Sequence, residues 1–217
     1  MALYDTILWD WNGTLLDDVQ LCVKLLNTML TRYGYAPVYD TEEYRRIFCF
    51  PIQRYYERAG FDFSRVSYSV LSEEYMKLYI PQSLSCGLQK DARKVLSRFQ
   101  QCGIRQVILS ASEKQLLCSH VAHHHLEGYF DTLLGLSDIY AKSKTEIGLA
   151  WLKESGCDPK RTVMIGDSVH DFEVSQALGI SCILFAGGHQ LREILAETGA
   201  PVVDSLRELS SLIAPKH

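Results

Sequence analysis

No apolar run in the 217-residue chain approaches the roughly 20 residues that a bilayer-spanning helix needs, so no membrane segment is expected. Long clusters of lysine and arginine are also missing, and the formal charge is −4, which argues against a nucleic-acid surface. No cysteine pair has CxxC spacing. The seven cysteines (Cys22, Cys49, Cys86, Cys102, Cys118, Cys157 and Cys182) are scattered and odd in number, so reduced thiols in a cytoplasmic protein are the expectation. The first strand pattern begins within a few residues of Met1, so no signal peptide is expected. Internal repeats and low-complexity tracts are absent too. The remainder reads as an ordinary globular chain: 47% hydrophobic residues and 217 positions suffice for one α/β core with a smaller insert. The acidic balance does not exclude an anionic substrate, because a local metal ion can dominate the field around it.

Periodicity divides the chain into two kinds of pattern. Tyr4 to Asp10 reads as a buried strand. From Asp17 to Tyr33 the spacing turns helical, with Val19, Cys22, Val23, Leu26, Met29, Leu30 and Tyr33 on one face. Helical patterns continue through Thr41–Phe48, Ile52–Ala59 and Val70–Tyr79, punctuated by Gly34, Pro51, Gly60 and Pro81, with no strand signal between about 17 and 82. Strand-then-helix units then follow. Gln106–Leu109, Thr132–Leu136, Thr162–Ile165, Ser181–Phe185 and Pro201–Val203 read as strands. Ser143-Lys144-Thr145-Glu146 reads as a capping box, and Gly103 and Gly179 as helix stops. The predicted fold class is a doubly wound α/β core with a mostly parallel sheet, residues 1–16 and 84–217, and an inserted all-helical cap at 17–83. The strand order is not legible.

Three of these strands end in polar residues of useful type: Asp10, Ser110 and Asp167. In a parallel sheet such ends lie on one edge, where ligands of open α/β sheets collect, so residues far apart in sequence converge. Two carboxylates and a hydroxyl at that edge suit a phosphate and a metal ion. Trp11 falls just after Asp10 and is expected to be exposed, packed against the insert or a substrate. Gly187-Gly188-His189 follows a strand at the same edge, where glycine permits tight turns near an anion.

The order of these motifs resembles the haloacid dehalogenase superfamily, in its phosphoglycolate phosphatase-like and β-phosphoglucomutase-like branch. The first motif of that family, Asp-x-Asp-Gly-Thr, is matched by Asp10-Trp11-Asn12-Gly13-Thr14. The second is matched by Val107-Ile108-Leu109-Ser110, and the fourth by Gly166-Asp167-Ser168-Val169-His170-Asp171. The resemblance implies a phosphatase acting on a small phosphorylated metabolite, as a monomer or homodimer, without nucleic acid or membrane partners. It implies Asp10 as nucleophile, forming an aspartyl-phosphate that water hydrolyses. It implies Mg²⁺ held by Asp10, Asp167, the backbone carbonyl of Asn12 and Asp171, directly or through water. Ser110 and the backbone at Ala111 would bind the phosphate. Lys144 would neutralise it, with Lys142 as the alternative. From the cap, Arg45, Arg46, Gln53 and Arg54 are candidates for substrate contact, and Asp17 and Asp18 would sit at the hinge.

One position departs from the family pattern. Asn12 stands where the acid–base aspartate is expected, and an amide neither gives a proton to a leaving alcohol nor activates water. That help is worth roughly 10²–10⁴-fold. Three consequences are open: substrates with good leaving groups, another acid or base such as His170, or a catalytically weak phosphate-binding or regulatory protein. A further alternative is carbon–phosphorus cleavage, for which Lys24 on the first cap helix would form an imine. His123-His124-His125 reads as a helix end at the surface.

Overall fold

A computed structural model describes residues 3–37, 39–136 and 143–213. The chain opens with strand β1 (Thr6–Trp9) and the two-residue β2 (Leu16–Asp17). Four helices follow: α1 (Val19–Arg32), α2 (Thr41–Ile47), α3 (Ile52–Arg58) and α4 (Tyr68–Ser83). β3 (Gly87–Leu88), α5 (Ala92–Gln101), β4 (Arg105–Glu113), α6 (Lys114–His123) and β5 (Thr132–Leu136) come next. The chain closes with α7 (Lys144–Ser155), β6 (Thr162–Gly166), α8 (Val169–Leu178), β7 (Ser181–Phe185), α9 (Arg192–Ala196), β8 (Val202–Val203) and α10 (Leu209–Ile213). Six strands form one sheet in the order β5-β4-β1-β6-β7-β8, and every pairing in it is parallel. β1 lies at the centre, where the order reverses, so its carboxyl end is the switch point of a doubly wound sheet.

The alternation of side chains along the strands explains the layers. Ile7 and Trp9 of β1, with Ile108, Val163 and Ile165, face one side and pack against α5, α6 and α10 through Val95, Leu96, Phe99, Leu117, Val121 and Ile213. Leu8, one residue out of phase, faces the other side with Val107, Leu109 and Met164, against Val174 and Leu178 of α8 and Ile147 and Trp151 of α7. A period of two with both sets apolar is what a sheet covered on both faces requires.

The four helices α1 to α4 bury a separate apolar cluster of their own, in which Leu26, Leu30, Tyr44, Tyr55, Tyr56 and Leu71 are central. The fold is therefore a doubly wound α/β core carrying an inserted helical cap. Two local differences from the sequence pattern stand out. α4 runs to Ser83 with Pro81 inside it, although the pattern places a break there. In the last turn a proline forfeits one backbone hydrogen bond without ending the helix. The chain also leaves and re-enters the core through an antiparallel pair, Leu16 with Leu88 and Asp17 with Gly87. Strands of two residues carry no periodicity, which is why they escape a reading by pattern.

Candidate active site

The apolar strand β1 carries Asp10 to its carboxyl end, and the chain then turns back at Gly13, whose φ of 76° is in the left-handed region. A β-carbon at Gly13 would run into the Asp167 carboxylate and the His189 ring; one at Gly188 would also meet Asp167. These two glycines let the loops after β1 and β7 close on the end of β6. Ser110 and Ala111 come from the carboxyl end of β4, where the pairing with β5 shifts register between Leu109 and Glu113. Lys144 is the first residue of α7, positioned by the capping box of Ser143 and Glu146. Asp171 is in the first turn of α8, in a second capping box with Ser168.

Asp10, Ser110, Ala111, Lys144, Asp167 and Asp171 line one cavity of about 340 Å³; the structure thus brings together the three strand ends Asp10, Ser110 and Asp167 and sets the other three beside them. Lys144 Nζ donates to Asp10 Oδ1 at 2.5 Å and to Asp171 Oδ1 at 2.6 Å. The Thr14 hydroxyl lies between Asp167 Oδ1 at 3.0 Å and Asp10 Oδ2 at 3.3 Å, bridging the two carboxylates. Asp167 Oδ2 accepts the backbone N–H of His189. Asp171 Oδ2 accepts the Ser168 hydroxyl and the N–H groups of residues 167 and 168, so all of its capacity is engaged in shaping the loop and holding Lys144.

The electrostatics of this cluster are unbalanced. Carboxylate oxygens of Asp10, Asp167 and Asp171 lie within 4.8 Å of one another, all buried, beside a single ammonium. Burial, and the neighbouring Asp171 and Asp167, push the Asp10 carboxyl up to about 8 against the pull of Lys144. Burial also raises Asp167, to about 6. Asp171 is buried too, but Lys144 and its hydrogen bonds outweigh that and hold it below the usual range. Lys144, though buried, is kept charged by Asp10 and Asp171. Three crowded hard oxygen donors with one compensating cation form a site that fits a divalent metal ion.

Beside this cluster lies a network that the sequence motifs do not announce. Asp18, buried at the amino end of α1, accepts from Asn12 Nδ2 at 2.9 Å, Tyr79 Oη at 2.6 Å and the Gly13 N–H at 3.0 Å, and pairs with His189 Nε2 at 3.1 Å. Burial opposes the charges of both partners, but their mutual attraction outweighs it: Asp18 is lowered to about 2 and His189 raised to about 9. His189 Nδ1 meets Tyr44 Oη at 2.8 Å, and its ring stacks on Phe48 with centroids 4.8 Å apart. Arg45 donates to the Gly187 carbonyl and Gln190 to that of Phe48. The loop 187–190 is thus the seat on which the cap rests. The Gly-Gly pair before His189 was the only sequence signal for it.

Asn12 is fully engaged. Its Nδ2 also reaches Tyr79 Oη at 2.7 Å, and its Oδ1 accepts the Ser112 hydroxyl at 2.6 Å. Among the acid–base alternatives, His170 lines the cavity, stacks on Phe50 at 4.4 Å and has its pKa lowered by burial and by Lys144.

Several expectations are corrected. Trp11 is not exposed: it is fully buried in the sheet core, with Nε1 donating to His120 Nδ1 at 3.2 Å, because it continues the period-two face of Ile7 and Trp9. Arg45 and Arg46 do not line the cavity. Arg45 is taken up by Gly187, and Arg46 pairs at the surface with Glu42, one turn earlier on α2. Gln53 and Arg54 are exposed. Lys24 is exposed and donates to Gln82, so no lysine of the cap reaches the cavity among the described residues. Lys142 lies outside the described residues. These corrections predict a contrast: Trp11→Ala costs about 3–5 kcal/mol of stability without changing KM, as for a buried aromatic, whereas Arg46→Ala changes neither. Denaturant unfolding and steady-state kinetics on both variants check it, and a changed KM in folded Trp11→Ala contradicts it.

A buried aspartate thus stands at the switch point of a doubly wound sheet, with a lysine on it, two further carboxylates beside it and a helical cap above. Residues 7–185 match the model of the haloacid dehalogenase-like hydrolases, and the chain belongs to that family. It is 22% identical over 213 residues to a phosphoglycolate phosphatase of Pseudomonas savastanoi pv. phaseolicola, across 94% of this chain and 77% of that protein. Among solved structures, a haloacid dehalogenase-like family hydrolase from Streptococcus pneumoniae superposes with a TM-score of 0.83 at 17% identity, over 98% of this chain and 99% of that one. Protein Tyrosine Kinase A of Mycobacterium tuberculosis superposes with a TM-score of 0.81 at 19% identity, over 97% of this chain and 98% of that one. No helix among the described residues is long and apolar enough to cross a membrane.

Proposed function

We propose that the chain is a Mg²⁺-dependent phosphatase that hydrolyses a small phosphorylated metabolite through a phosphorylated Asp10, with residues 17–83 acting as the cap over a core of 1–16 and 84–217. One observation carries this reading: the Asp10 carboxylate, at the end of β1, faces a cavity that it shares with Lys144, Ser110 and Asp167. Asp10, Asp167 and the backbone carbonyl of Asn12 would hold the ion, with Asp171 behind them. When bound, the ion supplies the positive charge that lets a phosphate dianion approach a carboxylate. Asp10 attacks phosphorus as the P–O bond to the alcohol breaks; the alcohol oxygen keeps the bonding pair and takes its proton from a water molecule, because Asn12 has none to give. Lys144 keeps Asp10 oriented and offsets charge on the transferring group, and Ser110 holds a phosphate oxygen. Water then attacks phosphorus, releasing phosphate and restoring the carboxylate. The cap excludes bulk water during the first step.

Asn12 favours a second reading, a phosphate-binding protein with weak turnover, because its amide has no acidic proton to give and both of its N–H groups are already donated to Asp18 and Tyr79. Asn12→Asp separates the two. A carboxylate there would lie against Asp18, and two buried carboxylates so close share a proton. That proton is what a leaving alcohol lacks. The variant is expected to raise turnover of alkyl phosphates by roughly 10²–10⁴-fold, and of p-nitrophenyl phosphate, a good leaving group, far less. Phosphate release with Mg²⁺ measures both. Activity confined to Asn12→Asp supports the binding reading; wild-type activity that Asp10→Asn removes supports the enzyme.

A further inference from the structure

The cavity has two chemically different ends. One holds Asp10, Ser110, Lys144, Asp167 and Asp171. The other, under the cap, is walled by Phe48, Phe50, Tyr55, Tyr75, Met76 and Leu116. Among the described lining residues the only lysine or arginine is Lys144, and both carboxylates it contacts belong to the first end. The two lining histidines offer no free cation: His189 is paired with Asp18 at 3.1 Å, and His170 faces Glu173 at 3.6 Å with its ring against Phe50. Glu113, the remaining ionisable group on that wall apart from the tyrosines and Cys22, is an acid.

We propose that this chamber takes a phosphomonoester whose alcohol portion is uncharged, ring-sized and mostly apolar, and that it turns away short phosphorylated acids such as phosphoglycolate. The proposal rests on the phosphatase reading and narrows its substrate. A second carboxylate entering the chamber would lose its water and meet aromatic faces and Glu113 in place of a cation, which is costly for any buried charge. A ring loses little water and gains contact with walls already set for it. The size agrees: a dry cavity of about 150 Å³ holds benzene, and the 340 Å³ here leaves space for a phosphoryl group beside a ring. One polar feature refines the shape. Ser72 Oγ, on α4 in the cavity wall, is buried and has no hydrogen-bond partner among the described residues. A single hydroxyl or carbonyl on the ring would satisfy it at no charge cost.

The test compares benzyl phosphate with phosphoglycolate, two alkyl esters, so that the quality of the leaving group does not decide the outcome. kcat/KM is expected to favour benzyl phosphate by at least about 30-fold, near the tenfold-per-1.4 kcal/mol scale of a buried ring contact. Met76→Arg sets a cation in the wall at a half-exposed position that tolerates it, and should narrow that ratio at least tenfold. In parallel, benzylphosphonate and phosphonoacetate are compared as non-hydrolysable ligands by thermal shift and calorimetry with Mg²⁺. Phosphoglycolate turned over as well as benzyl phosphate, or better, overturns the proposal and leaves the phosphatase reading standing. No turnover of either ester or of p-nitrophenyl phosphate, with benzylphosphonate bound more tightly than phosphonoacetate, supports the chamber and overturns the phosphatase reading instead. Equal binding of the two phosphonates overturns the proposal, whether or not Met76→Arg folds.

Discussion

Asp10→Asn is expected to reduce phosphate release by roughly 10³–10⁶-fold, the scale of losing a nucleophile, while making the metal-free protein more heat-resistant at alkaline pH. The two effects have one cause. Asp10 is the nucleophile we propose, and it is also one of three buried carboxylates beside a single lysine. Its pKa is raised to about 8 by burial, with Asp171 and Asp167 adding to it. A carboxyl raised in the folded state stabilises the fold below its unfolded pKa, near 3.8, and that contribution is lost as pH rises through about 8. Asp167, raised to about 6, and His189, raised to about 9 and facing Asp18 and Asp167, act in the same direction. In EDTA, therefore, the wild-type melting temperature should fall between about pH 5 and 9. Asp10→Asn removes its share of that decline, and Mg²⁺ removes most of it by binding the ionised form. Calorimetry from pH 5 to 9, with and without Mg²⁺, reads all three. A melting temperature that rises with pH in EDTA contradicts the account.

Lys144→Met is the second large effect. The ammonium is buried and bonded to Asp10 and Asp171, so its removal leaves two carboxylates with neither water nor a cation. Breaking a buried pair in this way costs about 3–5 kcal/mol. The loss should be larger at pH 8 than at pH 5, because protonation relieves it, and Mg²⁺ should restore part of it. Turnover should fall by at least about 10²–10³-fold, as for loss of a preorganised charge donor, and more Mg²⁺ should not recover it, since the ion cannot occupy the ammonium position at the head of α7. Wild-type turnover in this variant would remove Lys144 from the site.

The core was legible in the sequence because its signals are local. An apolar run that ends in a carboxylate is a strand leading to Asp10, and Gly166-Asp167 repeats the device. The capping box of Ser143 and Glu146, also local, marks the start of α7 and places Lys144 in its first turn. The errors came where a residue was read by its neighbour or its type alone. Trp11 follows Asp10 directly, yet it continues the period-two face of Ile7 and Trp9 into the same core cluster, which buries the indole. Arg45 and Arg46 were read from charge type, and the i, i+4 spacing of Glu42 and Arg46, visible in the sequence, already named a surface partner. The Asp18–His189 pair could not be read at all. It joins residues 171 positions apart, and it exists only because the cap rests on the loop after β7.

Rapid quenching of the working enzyme, followed by borohydride reduction and peptide mass spectrometry, addresses the central claim most directly, because an acyl phosphate is reduced to an alcohol and any other phosphoryl linkage is not. With Asn12 unable to activate water, hydrolysis of the intermediate should be slow and the adduct should accumulate. The account predicts homoserine at position 10 in samples quenched during turnover with Mg²⁺, and aspartate there in samples without substrate. Turnover that proceeds with position 10 unmodified, or with the phosphoryl group on another residue, contradicts it.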